Sequence, residues 1–280
     1  MLDHHVLKNS VIFILLTIAT FFIVFNSVAN ENALRILIPL YIYPTHYQPE
    51  TYAWQHLALA QSHVPITAII NPNSGPGNGS PNLDYAQGLA DLRAADITLL
   101  GYVSTRYGER EIAEVKREID LYHQYYQVNG IFLDEAASSL TQLKYYQELY
   151  TYIKTKPALS QVVLNQGTQP DEEYLSQSAA DTVVIFENYA REWAGYALPS
   201  YLSNYAADRL SILVHSAPDV ETMKQIIDLA LARHVKYVYV TDDRPDSADQ
   251  DPWNQLPSYW NEEIKYIQAL NQAASASSGR

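Results

Sequence analysis

The chain contains no cysteine. That absence removes disulfide scaffolds, thiolate zinc sites, iron–sulfur clusters and cysteine nucleophiles. Positive charge is also scarce: 18 Lys and Arg stand against 31 Asp and Glu, a net charge of -13. This argues against a nucleic-acid partner, which requires a basic footprint to displace counterions condensed on phosphate. Catalytic metal motifs are missing, with no His-x-His and no His-Glu-x-x-His. The glycine-rich stretch from Asn71 to Gly79 has neither the Gly-Lys-Ser/Thr end of a phosphate loop nor the spacing of a dinucleotide site. No metal and no cofactor are expected. What remains is a chain of 280 residues with 48% hydrophobic residues and 18% charged ones, enough for a large core and far from global disorder.

The first 30 residues stand apart. An uncharged apolar stretch from Val11 to Phe25 follows Lys8 and ends in Ser27-Val28-Ala29, with small residues placed as in a cleavage site. Residues 1–29 therefore read as a secretory signal peptide. The alternative is a retained membrane anchor, since residues 9–30 are about long enough to span a bilayer. Either reading places the remainder outside the cytoplasm, as a secreted, periplasmic or cell-surface protein.

From residue 30 to residue 272 the pattern is that of one domain. Short apolar runs occupy Ile36–Tyr43, Ile66–Asn71, Ile97–Thr105, Gly130–Asp134, Val162–Asn165, Thr182–Glu187, Ser211–His215 and Tyr237–Thr241. Their near-continuous Val, Ile, Leu and Tyr content is that of strands buried on both faces of a parallel sheet. Between them lie helical patterns: one opened by Pro49-Glu50, one by Asn82-Leu83-Asp84, then Arg110–Tyr126, Leu140–Lys154, Asp171–Ser178, Ala194–Tyr205, Asp219–His234 and Tyr259–Leu270. Eight strands and eight helices in alternation predict an α/β fold, a (β/α)8 TIM barrel. The Ala- and Ser-rich residues 273–280 are expected to form a disordered tail.

In such a barrel function lies where strands end and the following loops begin. Those ends are polar and aromatic throughout: Tyr43 after the first run, Asn71 and Asn73 after the second, Tyr107 after the third, Asp134-Glu135 after the fourth. Asn165, Glu187 with Tyr189, His215, and Asp242-Asp243 follow the remaining four. Acids placed directly behind four apolar strand residues are costly unless they reach water, a partner or a substrate. Carboxylates on the fourth and sixth strands face the same side of the ring and can flank a scissile bond, as a glycosidase requires, with one ionised and the other protonated. Side-chain alternation forbids Asp134 and Glu135 from both pointing along the axis unless the strand has already ended. Tyr43, Tyr107, Tyr189 and Trp193 lie where rings can stack on sugar faces. No lysine sits at the C-terminal end of a strand, which leaves a Schiff-base aldolase without its nucleophile. The acids of the last loop miss calcium spacing and read as a solvated acidic rim.

Taken in order, Ile38-Pro-Leu-Tyr-Ile-Tyr-Pro44, Asn71-Pro-Asn-Ser-Gly-Pro-Gly77, Gly101-Tyr-Val-Ser-Thr105, Gly130-Ile-Phe-Leu-Asp-Glu135, Asn165-Gln-Gly167 and Phe186-Glu-Asn-Tyr189 resemble the spherulin-4 family over about residues 35–270. The resemblance implies a glycoside hydrolase that acts within chains of α-1,4-linked N-acetylgalactosamine in microbial biofilm exopolysaccharides such as galactosaminogalactan. It also implies that Asp134, Glu135 and Glu187 are the essential carboxylates.

The combined reading is an exported, monomeric, metal-independent enzyme acting on polysaccharide, in contact with membrane only through residues 9–30 if these are retained. Glu187 is assigned as general acid/base, Asp134 as nucleophile or charge stabiliser and Glu135 as an orienting partner. Tyr43, Asn71, Asn73, Tyr107, Asn165, Tyr189, His215 and Asp242 are assigned to substrate binding. Retention, inversion and attack by the substrate's own acetamido group all stay open. The rival readings are a non-catalytic polysaccharide-binding protein on the same scaffold and a surface-anchored structural protein.

Overall fold

The computed structural model describes residues 33–44, 52–77, 79–246 and 250–278. The apolar runs form eight strands: β1 Arg35–Leu40, β2 Ile66–Ile70, β3 Thr98–Ser104, β4 Gly130–Asp134, β5 Gln161–Asn165, β6 Thr182–Tyr189, β7 Leu210–His215 and β8 Tyr237–Val240. They pair in sequence order, all parallel, and β8 returns to β1, so the sheet is a closed barrel with no free edge. The helices are α1 Ala53–Ala60, α2 Tyr85–Ala94, α3 Ile112–Tyr126, α4 Leu143–Lys154, α5 Glu173–Ser176, α6 Ala190–Trp193, α7 Val220–Ala232 and α8 Trp260–Ser278.

Each long helix buries the stripe that its sequence period dictates. In α3, Val115, Ile119, Tyr122 and Tyr126 face the barrel, and in α7 Met223, Ile226, Ile227 and Ala230 do so. Gly101 permits the approach of α3, and Gly130 the approach of β5 to β4. A Cβ on Gly101 would lie 2.4 Å from the ring of buried Tyr122, and one on Gly130 would lie 2.1 Å from the Gln161 carbonyl oxygen.

Three stretches differ from the sequence expectation. The stretch Ala194–Tyr205, expected to be helical, holds no α-helix: the single turn of α6 precedes it, and a 3-10 turn at Ser200–Asn204 lies within it. Pro199 lies between them, and a proline disfavours helical geometry in the residue before it. The Asp171–Ser178 pattern contracts to the one turn of α5. The expected disordered tail is instead helical, since α8 continues through Ser278. Its alanines are strong helix formers, and Asn271 anchors it by exchanging two hydrogen bonds with the backbone of Leu34 at 2.7 and 3.0 Å. The expected leader and the Pro49-Glu50 helix start lie outside the described residues.

Candidate active site

β3, β4, β5 and β6 place the site at the C-terminal end of the barrel. Ser104 pairs in register with Asp134, so those two strands finish level. β4 ends at Asp134, and Glu135 takes a left-handed conformation with φ 48°. The alternation rule is thereby released, and both acids line one cavity of about 440 Å³ together with Asn165, Glu187 and His215. On β6 the register against β7 slips between Val184 and Phe186, a bulge that re-aims the residues that follow. Glu187 is the next residue, and its amide is held by the carbonyl of Gly167 at 3.0 Å.

The central observation is one amide shared by two carboxylates. Asn165 Nδ2 donates to Asp134 Oδ1 at 2.7 Å and to Glu187 Oε2 at 2.5 Å. Those two oxygens therefore lie no more than 5.2 Å apart, the sum of the two bonds. Two ionised acids at that range repel strongly, and both are partly screened from water. Burial pushes the Glu187 carboxyl up to about 7, with the Asp134 charge adding to the rise and the donors Asn165 and Trp253 opposing it. Burial also raises Asp134, but Tyr102, Asn165 and the Glu135 amide hydrogen-bond its ionised form and hold it back. The two acids thus differ: burial and the Asp134 charge make Glu187 hold its proton toward neutral pH, while the donors around Asp134 favour its ionised form.

Glu135 plays a different part from this pair. Its Oε2 accepts from Ser104 Oγ, and its backbone carbonyl accepts from the Tyr107 amide at 2.6 Å. His215 packs edge-on to Tyr189 at 4.5 Å and to Trp253 at 5.9 Å, and its Nδ1 meets Ser216 Oγ at 3.0 Å. Burial, reinforced by Arg191, lowers its pKa to about 4 and so keeps the imidazole neutral. The amide oxygens of Asn165 and Gln166 are buried and without a hydrogen-bond partner among the described residues.

Six of the residues singled out in the sequence meet here: Asp134, Glu135, Glu187, Tyr107, Asn165 and His215. Tyr189 borders an adjacent hollow, with the Arg191 guanidinium 4.1 Å above its ring. Four others do not line the cavity. Tyr43 donates to Asp84 at 2.7 Å and accepts from Asn82 at 2.8 Å. Asn71 Oδ1 accepts from the Gly75 amide at 2.9 Å, while the Asn73 amide donates to the Gly75 carbonyl at 3.1 Å. Asp242 accepts from the amide and hydroxyl of Ser258. With Asp242 so engaged and Asp243 buried, these two acids do not form the acidic rim expected from the sequence. Trp193 is buried, its ring packed against Phe186.

Three contributors escaped the sequence reading. Tyr102 hydrogen-bonds Asp134, and Tyr41 packs edge-on against Tyr102 at 5.7 Å. Both read as ordinary strand tyrosines, and only their place near the C-terminal ends of β1 and β3 distinguishes them. Trp253, from the loop after β8, brings its indole N–H to Glu187 and forms one wall of the cavity. Volume alone does not mark the site, since a hollow of about 890 Å³ between α1 and α2 gathers no such set of acids and donors.

A closed parallel β/α barrel with two carboxylates bridged by an amide at the strand ends defines the class of protein. Residues 35–267 match the model of Spherulation-specific family 4, and the chain belongs to that family. It is 35% identical to spherulin-4 of Physarum polycephalum over 258 residues, covering 86% of this chain and 72% of that protein. Among solved structures it is similar to Aspergillus clavatus Sph3, determined in complex with GalNAc. The TM-score is 0.70 at 28% identity, with 84% of this chain and 98% of that one covered. A chitinase from Chromobacterium violaceum shares the fold at 11% identity and a TM-score of 0.55, over 85% of this chain and 99% of that one.

Proposed function

We infer that this protein is an exported glycoside hydrolase that cuts within amino-sugar exopolysaccharide, with α-1,4-linked N-acetylgalactosamine as the substrate class. The observation that carries this reading is the Asp134–Asn165–Glu187 bridge, which holds two carboxyl groups on one amide, with the bonded oxygens no more than 5.2 Å apart. Membership of the family and the likeness to Sph3, a protein crystallised with GalNAc, support the choice of sugar.

The spacing bears on stereochemistry. Inversion needs carboxyls about 6.5–9.5 Å apart to admit a water, whereas retention uses about 5–5.5 Å. The bound of 5.2 Å between facing oxygens favours retention. In the first step Glu187 gives its proton to the glycosidic oxygen as the bond from that oxygen to the anomeric carbon breaks. The new bond to that carbon comes from Asp134, because the acetamido group of an α-linked residue lies cis to the departing oxygen and cannot reach the opposite face. In the second step the Glu187 carboxylate takes a proton from water, whose oxygen displaces that group. A covalent adduct trapped on Asp134 is the expected signature of this route, and inverted product without an adduct overturns it.

The deciding experiment is product release by residues 30–280, beside Glu187→Gln, on a panel of amino-sugar exopolysaccharides. The expected result is a ladder of oligosaccharides from the parent and a rate lower by about 10²–10⁴-fold in the variant. Binding without products in both proteins would instead establish a polysaccharide-binding protein.

A further inference from the structure

The cleft does not stop at Glu135. That side chain is a wall shared with a second hollow of about 380 Å³, bounded also by Ser104, Tyr102 and Arg106. Arg110, on the same wall, is a fixed brace: it bonds the Ser104 carbonyl at 2.8 Å and grips both oxygens of Glu118 at 3.0 and 2.6 Å. Arg106 is different. It is exposed, and among the described residues its guanidinium has neither an ion pair nor a hydrogen bond. Tyr107, next in sequence, is 60% exposed with its ring on the wall of the catalytic cavity.

The backbone under these two side chains is strained. Arg106, Tyr107 and Gly108 have φ of 45°, 58° and 81°, three consecutive residues in a region that suits glycine and penalises a Cβ. The strap is held there by its neighbours: the Tyr107 amide donates to the Glu135 carbonyl, and the Thr105 hydroxyl lies 3.0 and 2.9 Å from the carbonyls of Asp134 and Glu135. A turn alone is served better by glycine at both positions. Two large side chains are kept instead, each at the cost of strain, and each opens onto a cavity. Strain of this kind is retained where the side chain has work to do.

We propose that the second hollow is a sugar-binding position beside the one where the bond is cut, and that Tyr107 on the catalytic cavity and Arg106 on the second hollow grip the chain across the two. The Tyr107 ring lies against the apolar face of one pyranose, and the Arg106 fork donates to a hydroxyl or acetamido carbonyl of its neighbour. The ligand is an uncharged amino-sugar chain of several units, a statement that rests on the hydrolase reading above.

The test uses the cleavage-deficient Glu187→Gln protein and calorimetric titration with N-acetylgalactosamine oligosaccharides of one to six units. Arg106→Gly and Tyr107→Gly are then added singly. Affinity is expected to rise with length in the parent, and each glycine variant is expected to lose about tenfold on the longer oligosaccharides while its melting temperature stays level or climbs. That pairing of weaker binding with an unweakened fold is not produced by a merely structural strap. If affinity rises with length but neither variant alters it, the second position is disproved and the hydrolase reading stands. If a variant loses affinity and melts lower, the strap is structural and the proposal fails. If the parent binds no oligosaccharide of any length, both readings fall.

Discussion

Glu187 carries two opposed demands in one carboxyl. Its proton is retained to about 7, so as a general acid it is competent below that value, and kcat/KM is expected to fall as pH rises through it. Asp134 must be ionised, and its raised pKa places the acidic limb of the profile above the ordinary aspartate range. The pair titrates as a unit, so a bell-shaped profile reports both groups together. The same rise in pKa has a cost in stability. The fold favours protonated Glu187, so its contribution is full below the unfolded carboxyl pKa and is lost as pH rises through about 7. Glu187→Gln cannot ionise and is expected to be more stable than the parent at pH 8 by about 1–3 kcal/mol, measured by denaturant unfolding. Equal stability at pH 8 would contradict this account. At this scale the sequence was legible wherever chemistry betrays itself, as when Asp134, Glu135 and Glu187 follow apolar strands. It was not legible for Tyr102 or Trp253, whose hydrogen bonds to the acids depend on strand register and on the course of a loop. Nor did it separate Tyr43 and Asp242, which are satisfied by Asp84 and Ser258, from residues that face the cleft.

The strands were legible because residues buried on both faces leave an unbroken apolar run, and the long helices because one face alone is buried. The weak elements were the short ones. A single turn such as α6 is set by tertiary contacts, here Trp193 against Phe186 and Arg233, rather than by any period of its own. The tail misled for the opposite reason: its Ala-Ser composition suits either disorder or a helix, and the Asn271 contact with Leu34 decides between them. Strand positions also carry demands that no side chain advertises. Gly130 opens β4 four residues before Asp134, and its neighbour across the ladder is the Gln161 backbone, which cannot move aside as a side chain can. Gly130→Ala is therefore expected to destabilise the protein by about 3 kcal/mol or more. It should also lower activity in the fraction that remains folded, because β4 carries Asp134 toward Asn165. A melting temperature unchanged by this substitution would contradict that packing.

In the whole molecule, the closure between β1 and β8 is the shortest ladder, with only Arg35 opposite Tyr237 and Ile36 opposite Val238. The Asn271 contact lies just outside this seam and ties the last helix to the first strand. A polarity follows from it. β1 enters the barrel at the end away from the cleft, and α8 starts near the cleft and descends about 17 Å to bring Asn271 to Leu34. Both ends of the described domain therefore emerge on the floor of the barrel, while Asp134 and Glu187 lie at its roof. A tether at either end, whether a surface, a bead or a fused domain, holds the open mouth outward. Protein immobilised through either end is expected to degrade polysaccharide within about twofold of the free rate. A loss of rate on attachment through one end only would mean that the long substrate also tracks down that side of the barrel.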